Sequence, residues 1–138
     1  MQLTLSSNKK NELDEELFEY NSIAKSIALE KMTIQTQQEH DENVGGGRSS
    51  KISNTTEQTV ISFSMSPRIQ YLERLRNQIE STYQKLTEEQ KKIFDMRWIL
   101  DEGNDWPVIG EKLHYNKRTI YKKRDKILEK YAKVKGEL

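Results

Sequence analysis

Between Leu86 and Tyr131 three apolar-periodic segments are separated by two polar turns, and this pattern constrains the fold more than any other stretch of the chain. Thr87-Glu88-Glu89-Gln90 has capping-box spacing, in which the Thr hydroxyl accepts from the N–H three residues on and the Gln side chain reaches back to the cap. Ile93, Phe94, Met96 and Leu100 follow as a buried face, with Trp98 and Ile99 near its edge, until Asp101-Glu102-Gly103-Asn104 stops the helix. Asp105 offers another N-cap ahead of Trp106-Pro107, and Val108, Ile109 and Leu113 predict a helix of only about two turns. The turn His114-Tyr115 leads to Asn116, the cap of a third helix with Ile120, Ile127, Leu128 and Tyr131 pointing inward.

A short helix, a tight turn and a longer cationic helix spell a helix-turn-helix, whose second helix enters the major groove of DNA. The outward residues of that helix are chemically suited to the task. Asn116, Lys117, Arg118, Thr119, Tyr121, Lys122, Lys123, Arg124 and Lys126 are the candidate DNA-binding residues. Arg118, Thr119, Tyr121 and Lys122 lie in the first turns, where base edges are met, and an Arg can pair bidentately with guanine. Lys123, Lys126, Lys130 and Lys133 would extend a field along the phosphate backbone, which positions a protein without reading sequence. The competing interpretation is a solvated basic face. His114 stands where a positive φ is expected, a conformation histidine tolerates better than most residues, so it reads as a turn residue and not as a general base. Trp98 and Trp106 read as packing residues, since each sits beside an apolar stripe.

Composition limits how much of the chain can be core. Only 33% of the 138 residues are hydrophobic, 33% are charged and the mean hydropathy is -0.94. Such a balance predicts a compact part flanked by segments that bury too little apolar surface to offset backbone entropy. The net charge of +1 divides unevenly: residues 1–47 hold four Lys/Arg against nine Asp/Glu, and residues 107–138 hold ten against four. A basic end of this kind is the electrostatic footprint of nucleic-acid binding. The chain has no Cys and two His, which argues against disulfides and zinc. It has no apolar run near the roughly 20 residues of a membrane span and no secretion signal at its start. A cytoplasmic, non-membrane protein is expected. No metal ligand set, cofactor motif or nucleophile beside a base stands out, so the chain reads as a non-enzyme.

In the N-terminal half, Leu13, Leu17, Tyr20, Ile23, Ile27 and Met32 mark one stripe of an amphipathic helix over residues 12–32. From Thr33 to Thr56 the periodicity dissolves and three consecutive glycines occur, which reads as a flexible linker. A phosphate-cradling loop is the alternative, although no Gly-Lys-Ser/Thr ending is present. Pro67 then suits the first turn of a helix capped by Ser66, and Ile69, Leu72, Leu75, Ile79 and Tyr83 form its stripe. That stripe needs a partner, either the terminal domain or a second copy of the helix in a homodimer. The expected architecture is all-α: an N-terminal helix in residues 1–35, a Gly/Ser/Thr-rich linker in 36–65, a middle helix in 66–86 and a three-helix helix-turn-helix domain in 87–138.

Two resemblances attach to these residues. Leu86-Thr87-Glu88-Glu89-Gln90, Met96-Arg97-Trp98, Trp106-Pro107-Val108-Ile109-Gly110-Glu111-Lys112-Leu113 and Asn116-Lys117-Arg118-Thr119-Ile120 together resemble the promoter-reading fourth region of bacterial sigma factors. Here Gly110 takes a small-residue site usually held by Ala, and the turn lacks its usual glycine. Asp41-Glu42-Asn43-Val44-Gly45-Gly46-Gly47-Arg48-Ser49-Ser50-Lys51-Ile52-Ser53, with Thr56-Glu57, resembles the signature of phage transcription regulators of the RinA and ArpU type. The resemblance implies a phage- or prophage-encoded activator of late genes whose C-terminal unit binds double-stranded promoter DNA; host RNA polymerase is a further candidate partner. It also implies that the glycine-rich signature is more than a spacer. Two other functional classes compete: the DNA-recognition small subunit of a phage packaging terminase, and an interaction module docking on polymerase through its acidic N-terminal helix.

Overall fold

The computed structural model describes residues 4–44, 51–100 and 102–138, and these form helices joined by turns, with no strand among them. In chain order they are α1 (Ser7–Phe18), α2 (Tyr20–Val44), α3 (Lys51–Met65), α4 (Pro67–Gln84), α5 (Glu88–Phe94), a π-helical turn (Asp95–Ile99), α6 (Trp106–Lys112) and α7 (Lys117–Lys135). The all-α expectation holds. Among the described residues no helix is long and apolar enough to cross a membrane.

The caps explain where the helices begin. Ser6 accepts from Lys9 N–H at 3.1 Å, Ser66 from Ile69 N–H at 3.2 Å, and Asn116 from Thr119 N–H at 2.8 Å. Thr87 and Gln90 complete the reciprocal capping box. Asp105 occupies the N-cap position of α6 in extended conformation, but its side chain makes no capping bond. Pro67 and Pro107 both fall in first turns, where the missing N–H costs nothing.

The chain divides into two compact units. One comprises the residues up to Asn21 together with Arg76–Leu138; the other is Ser22–Leu75. In the first, α1 packs on α7 and on the π-helical turn, while α5 and α6 also pack on α7. Its core includes Leu13, Leu17, Ile93, Phe94, Trp98, Ile109, Ile120, Ile127, Leu128 and Tyr131, each at most 1% exposed. The ring of Phe94 lies 4.9 Å from that of Trp98, which meets Trp106 at 5.4 Å. In the second unit Gln38 of α2 donates to Ser62 of α3 at 2.7 Å and accepts from Thr59, while Lys31 lies 5.3 Å from the centre of the Phe63 ring.

This division corrects several expectations. The N-terminal segment is two helices broken at Glu19, and the first of them belongs to the same unit as the helix-turn-helix. The linker expected over residues 36–65 is replaced at both ends by helix: α2 runs to Val44 and α3 begins at Lys51. Gln, Glu and Lys favour helix without an apolar period, and the Thr33 and Thr36 hydroxyls are satisfied by Leu29 and Met32 carbonyls of the same helix. Residues 45–50, with the three glycines, lie outside the described residues. Within the expected helical faces, Leu100 is 52% and Val108 38% exposed, so neither is core. The stripe of α4 uses Tyr83 against Phe94 of α5, ring centres 5.3 Å apart, so the terminal domain supplies one of its partners.

Candidate nucleic-acid interface

Residues Leu113–Asn116 form the turn between α6 and α7. His114 adopts φ 66°, the left-handed conformation expected of that position. The two helices meet through Gly110, where an added Cβ would lie 3.1 Å from Ile120 Cγ2 and 3.1 Å from the Tyr115 carbonyl oxygen. Such contacts are tighter than most real ones, so the small residue sets how closely α7 sits on α6.

On α7 the buried residues Ile120, Ile127, Leu128, Tyr131 and Ala132 define the inner face. Asn116, Lys117, Arg118, Lys122 and Lys126 are exposed, whereas Thr119, Tyr121, Lys123 and Arg124 are half-buried. Arg118, Lys122 and Lys126 recur every fourth residue and therefore share one outward face. Among the described residues Lys117, Arg118 and Lys122 enter no ion pair, and Lys126 has only a 3.8 Å approach to Glu129.

Of the remaining cations, Lys133 is exposed and enters no ion pair among the described residues, while Lys123, Arg124, Lys130 and Lys135 are held by the fold. Lys123 pairs with Glu89 of α5 and lies 4.6 Å from the centre of the Tyr115 ring. Hydrogen bonds from Lys123 and Tyr115 hold the Glu89 carboxyl below its usual range, and the Glu89 bond raises Lys123. Arg124 donates to Asp125 at 3.0 and 2.8 Å and covers the Tyr121 ring at 4.8 Å. Lys130 donates to the Lys85 carbonyl at 3.2 Å and to Gln90 at 2.6 Å, so it ties α7 to the start of α5. Lys135 pairs with Glu16 of α1 at 2.6 Å and with Glu137 at 3.0 Å. Burial alone would lower the Lys135 pKa, but these two bonds outweigh it and leave it raised.

The acidic α1 flanks this helix rather than standing apart. Lys10 pairs with Asp125 at 3.1 Å. Asp14 accepts from Arg97 at 3.2 and 2.8 Å and from the Trp98 indole N–H at 3.0 Å. Arg97 also donates to the Asn104 carbonyl at 3.0 Å and lies 4.7 Å from the Phe18 ring and 5.2 Å from the Trp106 ring. Asn104, only 5% exposed, is bonded to the Met96 carbonyl and to Lys112. Both Trp side chains are therefore packing residues. The sequence gives no local cue for the Asp14–Arg97 junction, because its members lie 83 positions apart.

Among the described residues no group of three or more His, Asp or Glu converges as a metal ion would require. No curated protein and no solved structure matches the chain. A family model matches residues 9–133, from the first turn of α1 into the last of α7, and the chain therefore belongs to the family described as "Protein of unknown function (DUF722)".

Proposed function

We propose that this protein is a sequence-specific, non-catalytic DNA-binding regulator of transcription, with α7 as its reading helix. The observation that carries the reading is the outward stripe Arg118, Lys122 and Lys126, exposed on a helix that is seated on α6 through the Gly110–Ile120 contact. A recognition helix needs cations and hydrogen-bond donors on one free face and a rigid backing on the other. Arg118 and Lys122 are the candidates for base edges, and Lys117 and Lys126 for phosphates. The likeness of residues 41–53 to the phage-regulator signature supports the narrower reading, an activator of late phage genes that acts on promoter DNA beside host RNA polymerase.

The test is selection of bound fragments from a random DNA library by the full chain, with the mass of the complex measured alongside. Recovery of one motif by a monomer or dimer supports the reading. Random recovery, or assembly into a large ring, refutes it. On the selected site Arg118→Ala should cost roughly 1–3 kcal/mol and relax specificity, whereas Lys126→Ala should weaken cognate and random DNA alike.

A further inference from the structure

A second site lies away from the helix-turn-helix. A cavity of about 320 Å³ opens where the start of α2, the end of α4, α5 and the π-helical turn meet, and no residue of α6 or α7 lines it. Its volume falls at the lower end of ligand-binding pockets, small for a cofactor and ample for one long side chain. The walls are Ile79, Phe94 and the rings of Tyr20 and Tyr83, and two carboxylates, Glu80 and Asp95, stand among them.

The polar groups are arranged in two matched pairs. Tyr20 donates to Glu80 at 2.9 Å and Tyr83 donates to Asp95 at 3.2 Å. Burial first, and then the carboxylate each bonds to, pushes both phenols above their ordinary range, against the opposing charge of Arg76 at Tyr20, so both remain donors at neutral pH. Each carboxylate keeps further acceptor capacity. Among the described residues neither has a Lys or Arg within ion-pair distance, although elsewhere in the same unit Asp14, Glu16, Glu89 and Asp125 all do. The π-helical turn, closed by the Leu100 N–H to the Asp95 carbonyl at 2.9 Å, carries one of the two acids. Such turns recur at binding sites because the extra residue shifts side chains out of the regular helical register.

We propose that this cavity receives an arginine side chain of a protein partner. A guanidinium is the cation that combines flat stacking on aromatic rings with directed hydrogen bonds to carboxylates, and it is more weakly hydrated than an ammonium. Tyr83 already attracts one cation, since Lys91 lies 5.5 Å from its ring centre. The paired carboxylates repel phosphates, which excludes DNA from the cavity. A free small cation would lose its translational freedom for few contacts, whereas a side chain on a folded partner shares that cost with the surrounding surface. Because α6 and α7 contribute nothing to the cavity, it remains available when α7 is occupied.

The probe is the capped peptide Ac-Ala-Arg-Ala-NH2, titrated into the full chain without DNA while the ring protons of Tyr20, Tyr83 and Phe94 are followed by NMR. Saturable shifts at those rings are expected. The isosteric, uncharged citrulline peptide and the variant Glu80→Gln/Asp95→Asn, checked for an unchanged melting profile, should each weaken binding roughly ten- to a hundredfold. Propylguanidine should bind more weakly than the peptide. Shifts spread over the acidic surface, equal binding of the citrulline peptide, or an indifferent double variant would overturn the assignment. Propylguanidine matching the peptide would overturn the protein partner in favour of a free cation. Since no DNA is present, failure here is separable from failure of the DNA-binding reading.

Discussion

Glu89 and Lys123 show how one ion pair removes a cation from the candidate interface. The Glu89 pKa lies below its ordinary 4.5 in the folded chain, so its pairing stabilises the fold above that value and is lost as pH falls through the lowered one. Carboxyl NMR titration should place the Glu89 midpoint below 4.5, and Lys123→Met should return it towards 4.5. An unchanged midpoint in the variant would show that Lys123 is free in solution, and thus available to phosphates. At the α6–α7 crossing, Gly110→Val should destabilise by about 1–3 kcal/mol, because its branches meet fully buried Ile120 and a backbone carbonyl. Urea unfolding reads that loss. These two positions also mark what was legible locally. His114, Asn116 and the Thr87–Gln90 box declare their roles through residue type and spacing; Lys123, Arg124 and Lys130 look like surface cations until their partners are known.

Individual helices were readable wherever an apolar period coincides with a cap. Helix α4 begins at Pro67 and α7 at Lys117, as Ser66 and Asn116 imply. Helix α2 extends beyond its apolar period because a polar stretch without Pro or Gly has little to end it. What no single element reveals is the Asp14–Arg97 junction, which fastens α1 to the π-helical turn with both side chains under one-fifth exposed. Asp14→Ala strands the Arg97 charge, and equilibrium unfolding should record a loss of about 3 kcal/mol. Adding Arg97→Met removes the stranded charge, so the double variant should recover part of that loss. A double variant no better than the single one would show that the junction stabilises through packing and not through charge.

For the whole molecule, the contrast between an acidic beginning and a basic end does not survive folding. The unit that contains α7 also contains α1, and it carries 17 Lys/Arg against 16 Asp/Glu, a net charge of +1. On the proposed reading, DNA attraction comes from the local stripe on α7 instead of from a broadly basic domain. With two phosphate contacts, from Lys117 and Lys126, the slope of log affinity against log salt should be about -2. Fluorescence anisotropy from low to moderate salt measures it, and a slope near zero would sink the assignment of α7 as a DNA-reading helix. The family match covers both units, so Ser22–Leu75 is as much part of this family's plan as α6 and α7.

The sequence by itself determined the helical class, the starts of α4 to α7, the inward face of α7 and the left-handed turn at His114, because caps, periodicity and backbone preference act over a few residues. Only the tertiary structure decided which cations stay free, that α1 flanks α7, and that Tyr20, Glu80, Tyr83 and Asp95 enclose one cavity. Those outcomes depend on contacts between residues tens of positions apart, and pairing at that range leaves no periodic trace in a single chain.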